Sequence, residues 1–240
     1  MSNHLPTVVL VHGAFAESAS WNGVIARLQS EGLRVVAAAN PLRSLQGDAA
    51  FVRSILTSIE GPVIAVGHSY GGAVISDAAT GVESVKALVY VSAFAPEVGE
   101  TIGELSGKFP GSTLGDTLQP VELADGTTDL YIRQELYREQ FAADVAEEQT
   151  RRDAAAQRPL NTEALNGRAS NPAWKTVPSS FVYSSGDKNI PVEAHRFMAE
   201  RAAALEAVEI PDASHALPVS RPDAVAEVIL RAVRSVASPK

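Results

Sequence analysis

The 240-residue chain contains no cysteine. Disulfides, thiolate metal sites and a cysteine nucleophile are excluded together. A basic surplus is also missing: 20 Lys and Arg stand against 28 Asp and Glu, a formal net charge of -8. Binding to a phosphate backbone needs a basic footprint, so the expected partners are small molecules or other proteins. No apolar run approaches the ~20 residues of a membrane-spanning helix. Residues 1–7 carry no Lys or Arg, and Val8-Val9-Leu10-Val11 is too short for the apolar core of a secretory signal. The expectation is a cytoplasmic protein with no nucleic-acid and no membrane partner; a homodimer is left open. Internal repeats and low-complexity segments are absent as well.

What is present is an alternation of apolar strands and amphipathic helices. Strands are predicted over 7–11, 33–39, 62–66, 85–93, 180–184 and 207–210, and helices over 21–29, 48–59, 72–79, 194–204 and 224–236. In the second helix Phe51, Val52, Ile55, Leu56 and Ile59 recur at helical period. The strands are apolar throughout, as strands covered on both faces should be. The fold class is therefore α/β, a mostly parallel sheet of about six strands with helices on both faces. The alternation stops near Pro96. Residues 97–174 hold clustered Gly, Pro and Asp, a hairpin signal at Asp125-Gly126 and a polar helical stretch over 134–157. The reading is a core domain of residues 1–96 and 175–240, with 97–174 inserted as a cap over one sheet end.

Gly67-His68-Ser69-Tyr70-Gly71 lies between an apolar strand and a helix. A sharp strand-to-helix turn forces its central residue into a strained conformation and brings the residues two before and two after together, so both must be very small. Such a turn presents the Ser69 hydroxyl at the C-terminal sheet edge, with the positive end of the helix dipole behind it. Ser69 is the candidate nucleophile.

A serine hydroxyl needs a base. Of five histidines, His4 falls in a segment expected to fray, His12 ends the first strand, His68 points to the other side of the turn, and His195 opens a helix and reads as a surface residue. His215, in a loop directly after the last strand, is the candidate base. Asp187 follows the strand over 180–184 and is the candidate acid that orients it; Asp212 and Asp77 are the rivals. The oxyanion hole needs two backbone N–H donors. The Tyr70 amide is the first and the Ala14 amide the second, with the Phe15 amide as the fallback.

The segments Val9-Leu10-Val11-His12-Gly13-Ala14, Gly67-His68-Ser69-Tyr70-Gly71-Gly72, Gly186-Asp187-Lys188-Asn189-Ile190-Pro191 and Ser214-His215 together resemble the α/β-hydrolase superfamily over nearly the whole chain. Within it the chain looks most like compact carboxylesterases related to plant methyl-salicylate esterases and hydroxynitrile lyases. The resemblance implies an α/β-hydrolase fold, a Ser69–His215–Asp187 triad, an oxyanion hole of the Ala14 and Tyr70 amides, and no metal or organic cofactor. Two departures separate it from the lyases, which have Thr at the position of Gly13 and Lys at that of Ala216. Haloalkane dehalogenases and related epoxide hydrolases place Asp at the nucleophile position, which Ser69 excludes.

The expected activity is hydrolysis of a small to medium, largely apolar carboxylic ester through an acyl-enzyme. Alternatives on the same scaffold are a cofactor-free dioxygenase, a C–C hydrolase, a lactonase, a perhydrolase or a non-catalytic receptor, because a fold does not fix a function. Phe15 and Tyr70 are expected as pocket walls. From the cap, Phe109, Leu114, Leu118, Tyr131, Leu136, Tyr137 and Phe141 are candidates for pocket lining or for packing onto the core.

Overall fold

The computed structural model describes residues 5–237. Its main sheet is built from β1 (Thr7–Val11), β2 (Val35–Ala38), β3 (Val63–His68) and β4 (Val85–Val91). After a long insertion come β8 (Ser179–Ser184) and β9 (Glu206–Ile210). The order is β2-β1-β3-β4-β8-β9 and every pairing is parallel. Helices α1 (Asn22–Ser30), α2 (Leu45–Thr57), α3 (Tyr70–Ala78), α8 (Val192–Arg201), the short α9 (Leu217–Ser220) and α10 (Pro222–Ala237) cover it.

The strands are not apolar throughout, since the edge strand β9 carries Glu206 and Glu209, but the apolar runs of the central strands β1 and β3 have a simple cause. Successive side chains point to opposite faces, and both faces are covered. Val9, Val11 and Ala65 enter the layer shared with α2 and α3, while Val8, Leu10, Ile64 and Val66 enter the layer shared with α1 and α10. Helix α2 starts three residues earlier than the period suggests because the Ser44 hydroxyl caps it, accepting from the Gly47 amide at 3.2 Å. Phe51, counted with the apolar face of this helix, is instead exposed.

Between β4 and β8 lie α4 (Ile102–Ser106), β5 (Leu118–Glu122), β6 (Thr128–Ile132), α5 (Gln134–Phe141), α6 (Glu147–Ala156), β7 (Leu160–Asn161) and α7 (Thr162–Leu165). The hairpin at Asp125-Gly126 forms, joining β5 to β6, and β7 adds a third antiparallel strand. The helical stretch over 134–157 is two helices. At the end of α5 the Phe141 carbonyl accepts from the Ala216 amide at 3.1 Å, and Asp144 pairs with Arg221 at 3.1 Å. A tertiary contact therefore breaks the helix where the local pattern continues.

Because the main strands are parallel, their C-terminal ends meet at one edge. Val11 pairs with Gly67 and His68 with Val91. The chain leaves β1 toward β2 on one side and leaves β3 toward β4 on the other, so the loops after β1 and β3 flank a topological switch point. Among the described residues, no helix is long and apolar enough to cross a membrane.

Candidate active site

Ser69 occupies the single residue between β3 and α3, with φ 54° and ψ -124°. This is left-handed backbone that serine rarely adopts. Three hydrogen bonds hold it there. The Ser69 amide donates to the Val91 carbonyl at 3.2 Å, and its own carbonyl accepts from Gly72 at 3.0 Å and Phe94 at 3.1 Å. A Cβ on Gly67 would stand 2.5 Å from the Gly71 carbonyl oxygen, and one on Gly71 would run into the Val11 carbonyl. Glycine at both positions is thus a packing requirement of the turn.

His215 and Asp187 are brought together. The Nδ1 of His215 lies 2.6 Å from Asp187 Oδ2, and both side chains are buried. Asp187 Oδ1 accepts from the amides of Asn189 at 2.7 Å and Ile190 at 2.9 Å. Burial pushes the carboxyl up, but the facing His215 and the hydrogen bonds from His195 and His215 outweigh it and hold the group well below the usual carboxylate range. With Nδ1 on the carboxylate, the other ring nitrogen of His215, Nε2, is buried and has no hydrogen-bond partner among the described residues. The ring lies beside the elbow: its centroid is 4.8 Å from that of His68, the residue before Ser69.

His68 supports this arrangement from below. Its Nε2 bonds the His215 carbonyl at 3.0 Å, which fixes the loop that carries the candidate base. Burial, reinforced by the neighbouring His215, pushes the His68 pKa down to about 3, so the ring is neutral. His12 accepts the Asn40 amide on Nε2 at 3.1 Å and bonds the Gly13 carbonyl through Nδ1 at 2.9 Å. His195 corrects the sequence reading. It is fully buried, not a surface residue, and its Nε2 lies 3.2 Å from Asp187 Oδ2. His4 lies outside the described residues.

The rival acids stand apart. Asp212 has a left-handed φ of 55° and is exposed, and its amide donates to Ser185 Oγ at 3.0 Å. The Asp77 carboxylate accepts from Ser170 and Asn171 of the inserted segment.

The fallback oxyanion donor is also corrected. The Phe15 amide is spent on the Arg158 carbonyl at 2.8 Å. Among the described residues, neither the Ala14 amide nor the Tyr70 amide, at the first turn of α3, has such a partner. The Tyr70 hydroxyl donates to Asp48 Oδ2 at 2.8 Å. Both groups are buried, and burial raises the pKa of each. Nothing in the local residue pattern singles out Asp48.

Ser69, Ala14, Phe15 and Tyr70 line one chamber of about 60 Å³. Of the residues considered for its outer wall, Leu114 and Leu118 line it, together with Phe94, Ile102, Ser106, Leu130, Leu160, Leu165, Asn189 and Ile190. Tyr137 and Phe141 instead line a second cleft of about 310 Å³ that Phe15 also borders. Phe109 packs on Phe197 at 5.6 Å between ring centroids, and Tyr131 and Leu136 border outer clefts. Among the described residues, no group of three or more His, Asp or Glu is placed to hold a metal ion.

Known proteins give this geometry a context. A pyrethroid hydrolase from Sphingobium wenxiniae is 28% identical over 250 residues, covering 92% of this chain and 85% of the relative. A carbendazim hydrolyzing esterase from Nocardioides is 34% identical over 116 residues, 42% of this chain and 47% of that protein. The solved structure of polyneuridine aldehyde esterase superposes with a TM-score of 0.82 at 19% identity, covering 95% of this chain and 99% of that one, a likeness of fold. The model of the alpha/beta hydrolase family matches residues 8–228, a span that takes in the elbow and the loops bearing Asp187 and His215. The chain belongs to the alpha/beta hydrolase family.

Proposed function

We propose that this chain is a serine esterase that cleaves a small, largely apolar carboxylic ester through an acyl-enzyme. The observation that carries the reading is the 2.6 Å contact between His215 Nδ1 and Asp187 Oδ2, which leaves Nε2 of the same ring unpaired beside the Ser69 elbow.

In this mechanism Ser69 Oγ attacks the ester carbonyl carbon while His215 Nε2 takes its proton. Asp187 holds the ring by its Nδ1–H and stabilises the imidazolium. The Ala14 and Tyr70 amides receive the oxyanion, aided by the N-terminus of α3. The tetrahedral intermediate collapses, His215 protonates the departing alcohol, and the acyl group stays on Ser69. Water then enters, loses its proton to His215 and attacks the acyl carbon, and the acid leaves with Ser69 reprotonated. The residues required are all in the chain, and no step calls for a cofactor.

The chamber wall is apolar apart from Ser69, Tyr70, Ser106 and Asn189, which supports an apolar acyl or alkoxy group. Its 60 Å³ is far below the roughly 300–1,000 Å³ of a typical small-molecule site, so a short group fits and a longer one needs the wall to move. In this reading residues 97–174 act as the cap that supplies that wall. Relatives named as a pyrethroid hydrolase and a carbendazim hydrolyzing esterase support hydrolysis as the chemistry. The acidic balance supports a small-molecule substrate over a polyanionic partner.

The test is a series of p-nitrophenyl esters of increasing acyl length, run with the wild type and Ser69→Ala. Turnover should be highest with the shortest acyl groups and fall by about three orders of magnitude or more in the variant. Esterase activity that survives Ser69→Ala would overturn the proposal.

A further inference from the structure

Asp187 serves two histidines. The oxygen that lies 2.6 Å from His215 Nδ1, Oδ2, also lies 3.2 Å from His195 Nε2. The other oxygen accepts two backbone amides. A carboxylate offers about four lone-pair sites, and here all four are engaged, two of them by imidazoles.

The state of His195 follows from its surroundings. A carboxylate only accepts, so the proton between the two groups sits on His195 Nε2. The ring is fully buried and stacks on Tyr183, with centroids 5.2 Å apart and planes 13° apart. Its remaining nitrogen, Nδ1, is buried with no partner among the described residues. Burial pushes the pKa of this ring down against the pull of Asp187, so the ring is neutral and Nδ1 carries a lone pair. Packing against Tyr183 would be met equally well by an apolar ring that left no polar atom unpaired. The imidazole is explained by what its Nε2–H does.

We propose that His195 is a positioning residue for the reaction: by donating to Oδ2 it draws charge away from the Asp187–His215 contact, and so keeps His215 in its basic form at lower pH. The inference rests on the reading of Ser69, His215 and Asp187 as the reacting set. Without the second donor, Oδ2 would hold the His215 imidazolium more tightly, and activity would need a higher pH.

Other charges around the pair are balanced. Facing His195 are Tyr183 on β8 and Glu209 on β9, and Glu209 is doubly bonded by Arg196 of α8 at 2.9 and 2.8 Å. Glu193 of the same helix is exposed and lies 3.8 Å from Arg196. Lys188 in the acid loop pairs with Glu139 at 3.1 Å. His215 is faced by His68 from β3, which is neutral. Asp187 is therefore the carboxylate through which His195 and His215 communicate.

The experiment compares kcat/KM against pH for the wild type, His195→Phe and His195→Gln on a short p-nitrophenyl ester. His195→Leu serves as a second apolar replacement should the Phe variant fail to fold. The apolar variants should move the acid limb up by roughly 0.5–1 pH unit, with KM unchanged. His195→Gln, whose amide can donate across the same gap, should keep the limb in place. A readout without turnover accompanies it: the pH titration of the downfield proton resonance of His215 Nδ1–H, followed by NMR in a Ser69→Ala background. That resonance should titrate at higher pH in the apolar variants. Esterase activity surviving Ser69→Ala would remove the mechanism while this titration still reported on the coupling. An unmoved limb and titration in a folded apolar variant, or equal shifts in the apolar and Gln variants, would overturn the proposal.

Discussion

The Tyr137 hydroxyl donates to the Phe15 carbonyl at 2.8 Å, which ties α5 of the inserted segment to the loop that carries the Ala14 amide. The Phe15 amide donates in turn to the Arg158 carbonyl at 2.8 Å. Phe15 itself has a φ of 60°, a conformation costly for an aromatic residue. Both backbone polar groups of one strained residue are thus held by the insertion. The same segment grips the acid loop, where Gln140 donates to the Lys188 carbonyl at 2.9 Å and to Asn189 Oδ1 at 2.7 Å. The segment that walls the chamber therefore also sets the shape of two loops around Ser69.

Tyr137→Phe removes one of these ties while keeping the ring that stacks on Phe141 at 5.1 Å. The Phe15 carbonyl is then left unpaired in a buried site, at a cost of about 1–3 kcal/mol. For a chain of this length that corresponds to a fall of roughly 2–12 °C in Tm. If the Ala14 amide is an oxyanion donor, a relaxed Phe15 shifts it, and kcat should fall about 3–10-fold with KM within about twofold. Steady-state kinetics and a thermal melt on the same preparation check both. A lower Tm with unchanged kcat would limit Tyr137 to stability.

The choice among three acids can be read directly. Asp187→Asn keeps the shape of the side chain but removes the charge that fixes the His215 tautomer, so kcat should drop about 10³–10⁴-fold. Asp212→Asn and Asp77→Asn should stay within about twofold, because the Asp212 side chain is exposed and the Asp77 carboxylate is engaged with Ser170 and Asn171. Kinetics on one short ester, with circular dichroism to establish folding, suffice. Near-wild-type turnover in Asp187→Asn would remove Asp187 from the mechanism.

The residues that sequence could and could not place differ in the range of the contacts that decide them. Strands such as Thr7–Val11 are legible because two covered faces require continuous apolar character, and the elbow because its glycines are a local steric need. His195 reads as a surface residue from sequence because it opens the helix predicted over 194–204. A signal was nonetheless present: His195, Met198 and Ala199 share the i, i+3, i+4 face, and all three are buried. The break after Phe141 and the two-residue strand Leu160–Asn161 had no local signal. The first depends on the Ala216 amide and the second on pairing with Asp129 and Leu130, each distant in sequence.

The buried histidines make a claim about stability against pH. His12, His68 and His195 all have pKa values pushed below 6.5, by burial first, and for His68 down to about 3. Below pH 6.5 the unfolded chain takes up protons at these sites and the native state does not. Their contribution is therefore fully present above about pH 6.5 and is lost as pH falls from there toward each folded pKa. Asp187, held below its ordinary 3.8, acts in the same sense only below about pH 4. Each neutral histidine contributes a slope of up to about 1.4 kcal/mol per pH unit, so His68 alone should remove about 2 kcal/mol between pH 6.5 and 5. Urea unfolding at pH 7.5, 6 and 5 measures this. His68→Gln, which can still donate to the His215 carbonyl, should flatten the dependence by about that amount. Equal stability of the wild type at pH 7.5 and 5 would mean that these rings take up protons without unfolding.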